Sequence, residues 1–303
     1  MTRSLPAAVR IVEVGPRDGL QNESTPVTTA TKIAFVDALS AAGHSMIEVS
    51  AFVSPKWVPQ MADAAEVFAG IERRAGVRYT ALVPNLAGLQ RAIAAGVDEV
   101  AIFAAASETF STRNINQSIQ GSLETYAEVC RVASAAGLPI RGYLSTVFGC
   151  PFEGAVAIDA VVAVATRLLE MGAYEVALSD TIGIAHPGQV APVVEAVSQT
   201  VPLDKLALHF HDTRGMATVN VYAGLEAGVT TFDASAGGLG GCPYAPGATG
   251  NLATEDLLFM LNGLGIRTGV DLDRQLAASQ LIEPYVGHDL PSRVYRAHGS
   301  HTR

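Results

Sequence analysis

A (β/α)8 barrel, with a catalytic Gly-rich loop after the eighth strand and a C-terminal helical extension, is the fold this sequence predicts. Three observations carry that expectation: eight short apolar runs of β character, longer helical patterns between them, and a length of 303 residues that suits eight such units. Strict alternation requires parallel strands, because each return crossover needs a dozen or more residues, and a helix supplies them. The first strand is VRIVEV from Val9, and the stretch TTATKIAFVDALSAAG follows, with apolar residues three and four apart and a closing glycine. The second, third and fourth strands are SMIEVS from Ser45, VRYTALV from Val77 and DEVAIFA from Asp98. The fifth, LPIRGYLSTV from Leu138, leads to AVAIDAVVAVATRLLEMG, a second helical pattern ending in glycine. YEVALS from Tyr174, KLALHFH from Lys205 and TTFDAS from Thr230 complete the set. One domain spans residues 1–303, within which 265–303 reads as a terminal helix followed by a loose polar tail. A doubly wound open sheet shares the alternation, but eight units favour closure.

The composition, 49% hydrophobic and 16% charged, is globular. A formal net charge of -9 excludes a general electrostatic footprint for nucleic acid or an anionic membrane surface, so an anionic ligand needs a local basic pocket. No apolar run approaches the roughly 20 residues that span a bilayer. The opening MTRSLPAAVR is too short for a leader before the first strand begins. Cys130, Cys150 and Cys242 lack metal-type spacing, and an odd number makes no disulfide framework. These features together predict a soluble protein of the reducing cytoplasm.

A barrel of this type places its chemistry at the C-terminal strand ends and in the loops after them. His209 and His211 lie two apart on the seventh strand, so both imidazoles point to one face about 6.6 Å apart along it. Asp18, after the first strand, adds a carboxylate at the same end, and Asn251 offers a carbonyl oxygen. Such mixed ligands suit Mg²⁺, Mn²⁺ or a related divalent cation better than structural zinc. Arg17 presents a cationic fork for an oxyanion or carboxylate, with a salt bridge to Asp18 or Glu48 as the competing reading. Glu48 and Asp180 are candidate acids or bases at strand ends, or orienting groups. The stretch SAGGLGGCPYAPGATGN from Ser235 puts Cys242 in a glycine-rich loop at the mouth, where a thiol can move a proton. Cys150, in the echo Gly-Cys-Pro-Phe, reads as structural, and Cys130 as a core residue.

As a set, Glu13 to Glu23 (EVGPRDGLQNE), SAFVSPKWVPQMAD from Ser50, His209-x-His211-Asp212-Thr213 and GLGGCPYAPGATGNLATED from Gly238 resemble the 3-hydroxy-3-methylglutaryl-CoA lyase family. The resemblance covers about residues 10 to 270. It implies cleavage of 3-hydroxy-3-methylglutaryl-CoA to acetyl-CoA and acetoacetate with a divalent cation. On that pattern Asp18, His209, His211 and Asn251 are the metal ligands and Cys242 the catalytic thiol. Arg17 contacts substrate, Gln21, Asn114 and Ser118 join it as substrate-binding positions, and Glu48 and Asp180 match acidic positions of the active site. The resemblance also implies a homo-oligomer, a dimer or larger. Departures are small: Phe210 between the histidines, and Ala236-Gly237 in place of Val-Ala.

Three rival functions share parts of this pattern. A lyase for a homologous branched 3-hydroxyglutaryl-CoA differs only in the pocket beyond the hydroxyl carbon. A Claisen-condensing acyltransferase of the isopropylmalate or homocitrate synthase type shares the Arg-Asp start and the histidine pair, although its chains usually extend well past the barrel. A silent barrel that binds acyl-CoA or serves as a scaffold has no need of Arg17, Asp18, His209, His211, Cys242 and Asn251 together.

Overall fold

The computed structural model describes residues 4–241 and 250–299. Strands β1 (Arg10–Glu13), β2 (Met46–Ala51), β3 (Arg78–Leu82), β4 (Glu99–Ala105), β5 (Ile140–Ser145), β6 (Glu175–Asp180), β7 (Leu206–Phe210) and β8 (Thr231–Ala234) pair in chain order. All neighbours are parallel, and β8 returns to β1 in the register Arg10 with Thr231 through Glu13 with Ala234, which closes the barrel. The open-sheet alternative is thereby excluded. Every residue of β2, β6, β7 and β8 is buried, as expected of strands covered on both faces.

Helices α1 (Thr29–Ala42), α2 (Ala64–Gly70), α3 (Leu86–Ala94), α4 (Glu108–Ile115), α5 (Ile119–Ala135), α6 (Ile158–Glu170), α7 (Pro187–Val197) and α8 (Ala217–Ala227) fill the crossovers. Helix α1 illustrates how local sequence sets its ends. The Thr28 hydroxyl accepts the Thr31 amide at 3.2 Å, and Gly43 ends the helix at φ 101°, a left-handed conformation that a side chain would strain. Beyond β8 come α9 (Thr254–Gly263), α10 (Leu272–Val286) and α11 (Arg293–Gly299).

Two departures from the sequence reading have local causes. Strand β5 starts at Ile140, not Leu138, because Pro139 has no amide to give a ladder, and it stops at Ser145 because Thr146 takes φ 61°. The tail is not loose after its first helix. Asp256 accepts hydrogen bonds from the Ser292 hydroxyl at 2.8 Å and from the Arg293 and Val294 amides at 3.2 and 2.8 Å, which starts α11 and fixes it to α9. Among the described residues, no helix is long and apolar enough to cross a membrane.

Candidate active site

The turn after β1 is a single π-helical turn, Gly15–Gly19, in which the amides of Arg17, Asp18 and Gly19 all point to the Val14 carbonyl at 3.2, 2.8 and 3.1 Å. Such turns are rare and concentrate at functional sites. This one throws Arg17 and Asp18 inward over the barrel mouth. Arg17 is buried; its Nε donates to Glu48 Oε2 at 2.5 Å, a terminal nitrogen donates to Asp18 Oδ1 at 2.5 Å, and the guanidinium lies 5.5 Å from the Tyr143 ring centre. The salt bridges expected of Arg17 are thus formed, to Asp18 and Glu48 alike, and the same side chain lines the central cavity.

Asp18 meets His209 and His211 in one group, with a ligand atom from each lying within 4.8 Å of the others. The two imidazole centres are 5.2 Å apart, and Phe210 between them turns away to pack on Phe148. Burial works against ionising Asp18, but Arg17, both histidines and the Asn251 amide outweigh it and hold the carboxyl down at about 2. His211 goes the other way, to about 4, through burial and the neighbouring His209. Asn251 joins through Nδ2, which donates to Asp18 Oδ2 at 3.0 Å and to the Leu239 carbonyl at 3.1 Å. Its Oδ1 and the Nδ1 of His211 are buried with no hydrogen-bond partner. An ionised carboxylate and two imidazoles, one of them neutral with an unpartnered buried nitrogen, fit a divalent cation at this group, and the Asn251 amide beside Asp18 could add its unpartnered oxygen by turning over.

Behind His209 stands a support that the sequence reading missed. Asp233 Oδ2 lies 3.1 Å from His209 Nδ1, which leaves Nε2 facing Asp18 at 3.9 Å. Arg141 grips Asp233 through two nitrogens at 2.7 and 3.2 Å and donates to Glu175 at 2.7 Å, and Arg10 closes on Glu175 from the opposite end of the barrel. Burial alone would lower the His209 imidazole, yet the Asp233 hydrogen bond raises it above its ordinary value. The signal was present in the strands: Asp233 of TTFDAS and Arg141 of LPIRGYLSTV are the lone charges of their runs, and β7 pairs with β8 at His209 and Asp233.

The remaining sequence candidates divide. Gln21 and Asn114 line a cavity of about 700 Å³ together with Arg17, Asp18, His209 and His211, and Gln21 Oε1 is buried without a partner. Glu48 sits behind Arg17, where burial raises its carboxyl against the pull of that guanidinium. Asp180 is not brought into the group, because its oxygens accept the Ile184 and Ala185 amides at 3.0 Å each. Ser118 caps α5 by accepting the Gly121 amide at 3.0 Å and is not among the cavity walls. Cys242 lies outside the described residues; Gly241, just before it, lines the cavity, and its carbonyl accepts from Asn22 at 2.9 Å. Cys130 and Cys150 are buried free thiols, and Cys150 is held at 2.9 Å from the Ser107 hydroxyl, a structural setting.

A closed parallel barrel with a mixed oxygen and nitrogen ligand group at its C-terminal mouth defines the class: a (β/α)8 protein with a candidate divalent-metal centre. A family profile described as HMGL-like matches residues 8–282, and this chain belongs to that family, as the sequence resemblance implied. It is 55% identical over 97% of its length to a Pseudomonas aeruginosa protein named 3-hydroxy-3-isohexenylglutaryl-CoA/hydroxy-methylglutaryl-CoA lyase, covering 98% of that protein. It is 51% identical over 97% of its length to the mitochondrial hydroxymethylglutaryl-CoA lyase of Gallus gallus, covering 99% of it. The crystal structure of the Pseudomonas aeruginosa hydroxymethylglutaryl-CoA lyase superposes with TM-score 0.96 at 55% identity, covering 98% of this chain and 99% of that one. An HMG-CoA lyase from Acinetobacter baumannii in complex with coenzyme A and 3-methylmalate superposes with TM-score 0.93 at 40% identity, covering 97% and 96%.

Proposed function

We propose that this protein cleaves 3-hydroxy-3-methylglutaryl-CoA to acetyl-CoA and acetoacetate by a retro-aldol reaction, with Mg²⁺ or Mn²⁺ held by Asp18, His209, His211 and Asn251. The observation that carries the reading is the convergence of Asp18, His209 and His211 beside Arg17 on one cavity, in a chain of this family. A cation bound there supplies positive charge to hold the hydroxyl and carboxylate oxygens of the substrate. The C3 hydroxyl passes its proton through a relay to the Cys242 thiolate as the bond between C2 and C3 breaks; C3 becomes a ketone, and C2 leaves as a thioester enolate, which takes that proton back from the Cys242 thiol. Arg17, fixed by Glu48 and Asp18, offers its remaining donors to the developing enolate oxygen. Cys242 moves the proton that completes acetyl-CoA, and Gln21 and Asn114 bind the thioester along the cavity wall. Asp180 acts by shaping the turn after β6, and Ser118 by fixing the start of α5. A cytoplasmic location agrees with the free thiols Cys130 and Cys150, and a homo-oligomer would cover the exposed Phe259 and Tyr222.

The test is incubation with 3-hydroxy-3-methylglutaryl-CoA and Mg²⁺ or Mn²⁺, following acetoacetate and acetyl-CoA. Cleavage should stop with EDTA and fall by at least about a hundredfold in Cys242→Ala, the scale of a lost acid or base. The name of the Pseudomonas aeruginosa relative favours a second substrate, a longer 3-alkyl branch, and the isohexenyl thioester belongs in the same assay. Release of free CoA from acetyl-CoA and a 2-oxo acid would instead make the protein a condensing enzyme.

A further inference from the structure

We propose that Trp57 is the stacking face for the adenine ring of the substrate's coenzyme A, which rests on the acyl-CoA reading above and adds its outer binding determinant. Trp57 is the chain's only tryptophan and is 86% exposed, more than any other large apolar side chain among the described residues. Exposure of a single indole is ordinary by itself, so its place in the fold decides what it does. Its place is not arbitrary: with Val53, Val58, Pro84 and Asn85 it lines the same cavity as Arg17, Asp18 and the histidines. Among the described residues, no ring, cation or hydrogen-bond partner is recorded for the indole.

The segment bearing Trp57 is held. The Trp57 and Val58 amides donate to the Ser54 carbonyl at 3.0 and 3.1 Å, Pro55 and Pro59 bracket the turn, and the Gln60 side chain ties it to Val27 and Thr25, each at 3.1 Å. A fixed, exposed, flat side chain loses little freedom on binding a flat partner, and base stacking is the chemistry it suits. Cations for the accompanying phosphates are near in a chain of net charge -9: Lys56 is exposed beside Trp57 in sequence, and Arg113 lines the same cavity. A purine nucleotide with its phosphates therefore fits this rim better than an acyl branch.

The lone tryptophan makes the test direct. Trp57 emission is followed during titration of the intact protein with CoA, with adenosine 3′,5′-bisphosphate and with pantetheine, while calorimetry records binding independently. CoA and the bisphosphate should quench the emission, and pantetheine, which lacks the base, should not. Trp57→Ala should raise KM for the thioester roughly tenfold with kcat and Tm unchanged, and Trp57→Phe should restore most of the loss. Quenching by pantetheine would put the indole on the acyl arm, and emission that tracks protein concentration but not CoA would give it to a second copy; either overturns the assignment. CoA binding in the calorimeter with silent emission overturns it and leaves the acyl-CoA reading standing. No CoA binding by either method removes both.

Discussion

At the scale of single residues, the site is set by pairs that divide charge between them. His209 illustrates this best. Its Nδ1 is committed to Asp233, so the ring is oriented and the other nitrogen is free to face Asp18 and a cation. Carboxylate partners of ligating histidines typically sustain ten- to hundredfold in metal affinity. Asp233→Asn presents an amide that can offer its NH₂ to Nδ1, which favours the wrong tautomer. Mn²⁺ affinity, read by titration calorimetry without substrate, should fall by roughly that factor, while Glu128→Gln, at an exposed position of α5, should leave it unchanged. Equal losses in the two variants would remove Asp233 from the support of the centre. Residue types and strand-end position made His209, His211, Asp18 and Arg17 legible in the sequence. Asp233 escaped because its partner is 24 positions away and the contact exists only through the β7 to β8 register.

At the scale of elements, the π-turn after β1 and the chain after β8 are built against each other. Gly19 sits where a Cβ would come 2.8 Å from the Ser235 hydroxyl and 2.9 Å from the Leu239 side chain, so only glycine lets the two segments close. Gly15 is equally tight, with Glu13 Oε1 at 2.7 Å. Gly19→Ala should push the turn outward and displace Arg17 and Asp18, and misplacement of about 1 Å costs on the order of a hundredfold in kcat. Gly263→Ala, at the end of α9 with open space around it, is the matched control and should leave kcat unchanged. An active Gly19→Ala protein would show that the turn is not held by this contact. The eight alternating units were legible because hydrophobic period and punctuation are local. The π-turn was not, since its form depends on a glycine meeting a segment more than 200 residues later. The α10 and α11 pair was half legible: the helical start could be read, but the Asp256 anchor that orders the polar end could not.

At the scale of the whole molecule, a buried polar network joins the first strand, the base of the Gly-rich loop and the C-terminal extension. Glu13 Oε1 accepts the amides of Gly15 and Ala236, each at 2.8 Å, so one oxygen ties the Arg17 turn to the chain entering the loop. Glu255 accepts the next amide, Gly237, at 2.9 Å and is itself held by Gln275 and Ser279 of α10, while His44 lies 2.8 Å from Gln275 and 3.6 Å from Glu13. The C-terminal extension thus braces the loop root from behind. Burial raises the Glu13 carboxyl from 4.5 to about 8 despite its hydrogen bonds. The folded protein consequently holds a proton there that the unfolded chain has already released above its lower value. Its contribution to stability is complete below pH 4.5 and is lost as pH rises to about 8. His44 has the opposite sign: burial lowers it from 6.5 to about 4, so its contribution is present above 6.5 and lost toward 4. Glu13→Gln keeps an oxygen for the Gly15 and Ala236 amides and removes the titration. Urea midpoints measured from pH 5 to 9 should decline for the parent and run flatter for Glu13→Gln, with the slopes of the two curves differing most between pH 5 and 8. Parallel curves would show that Glu13 is ionised throughout the folded state and that the network is held by hydrogen bonds to a carboxylate.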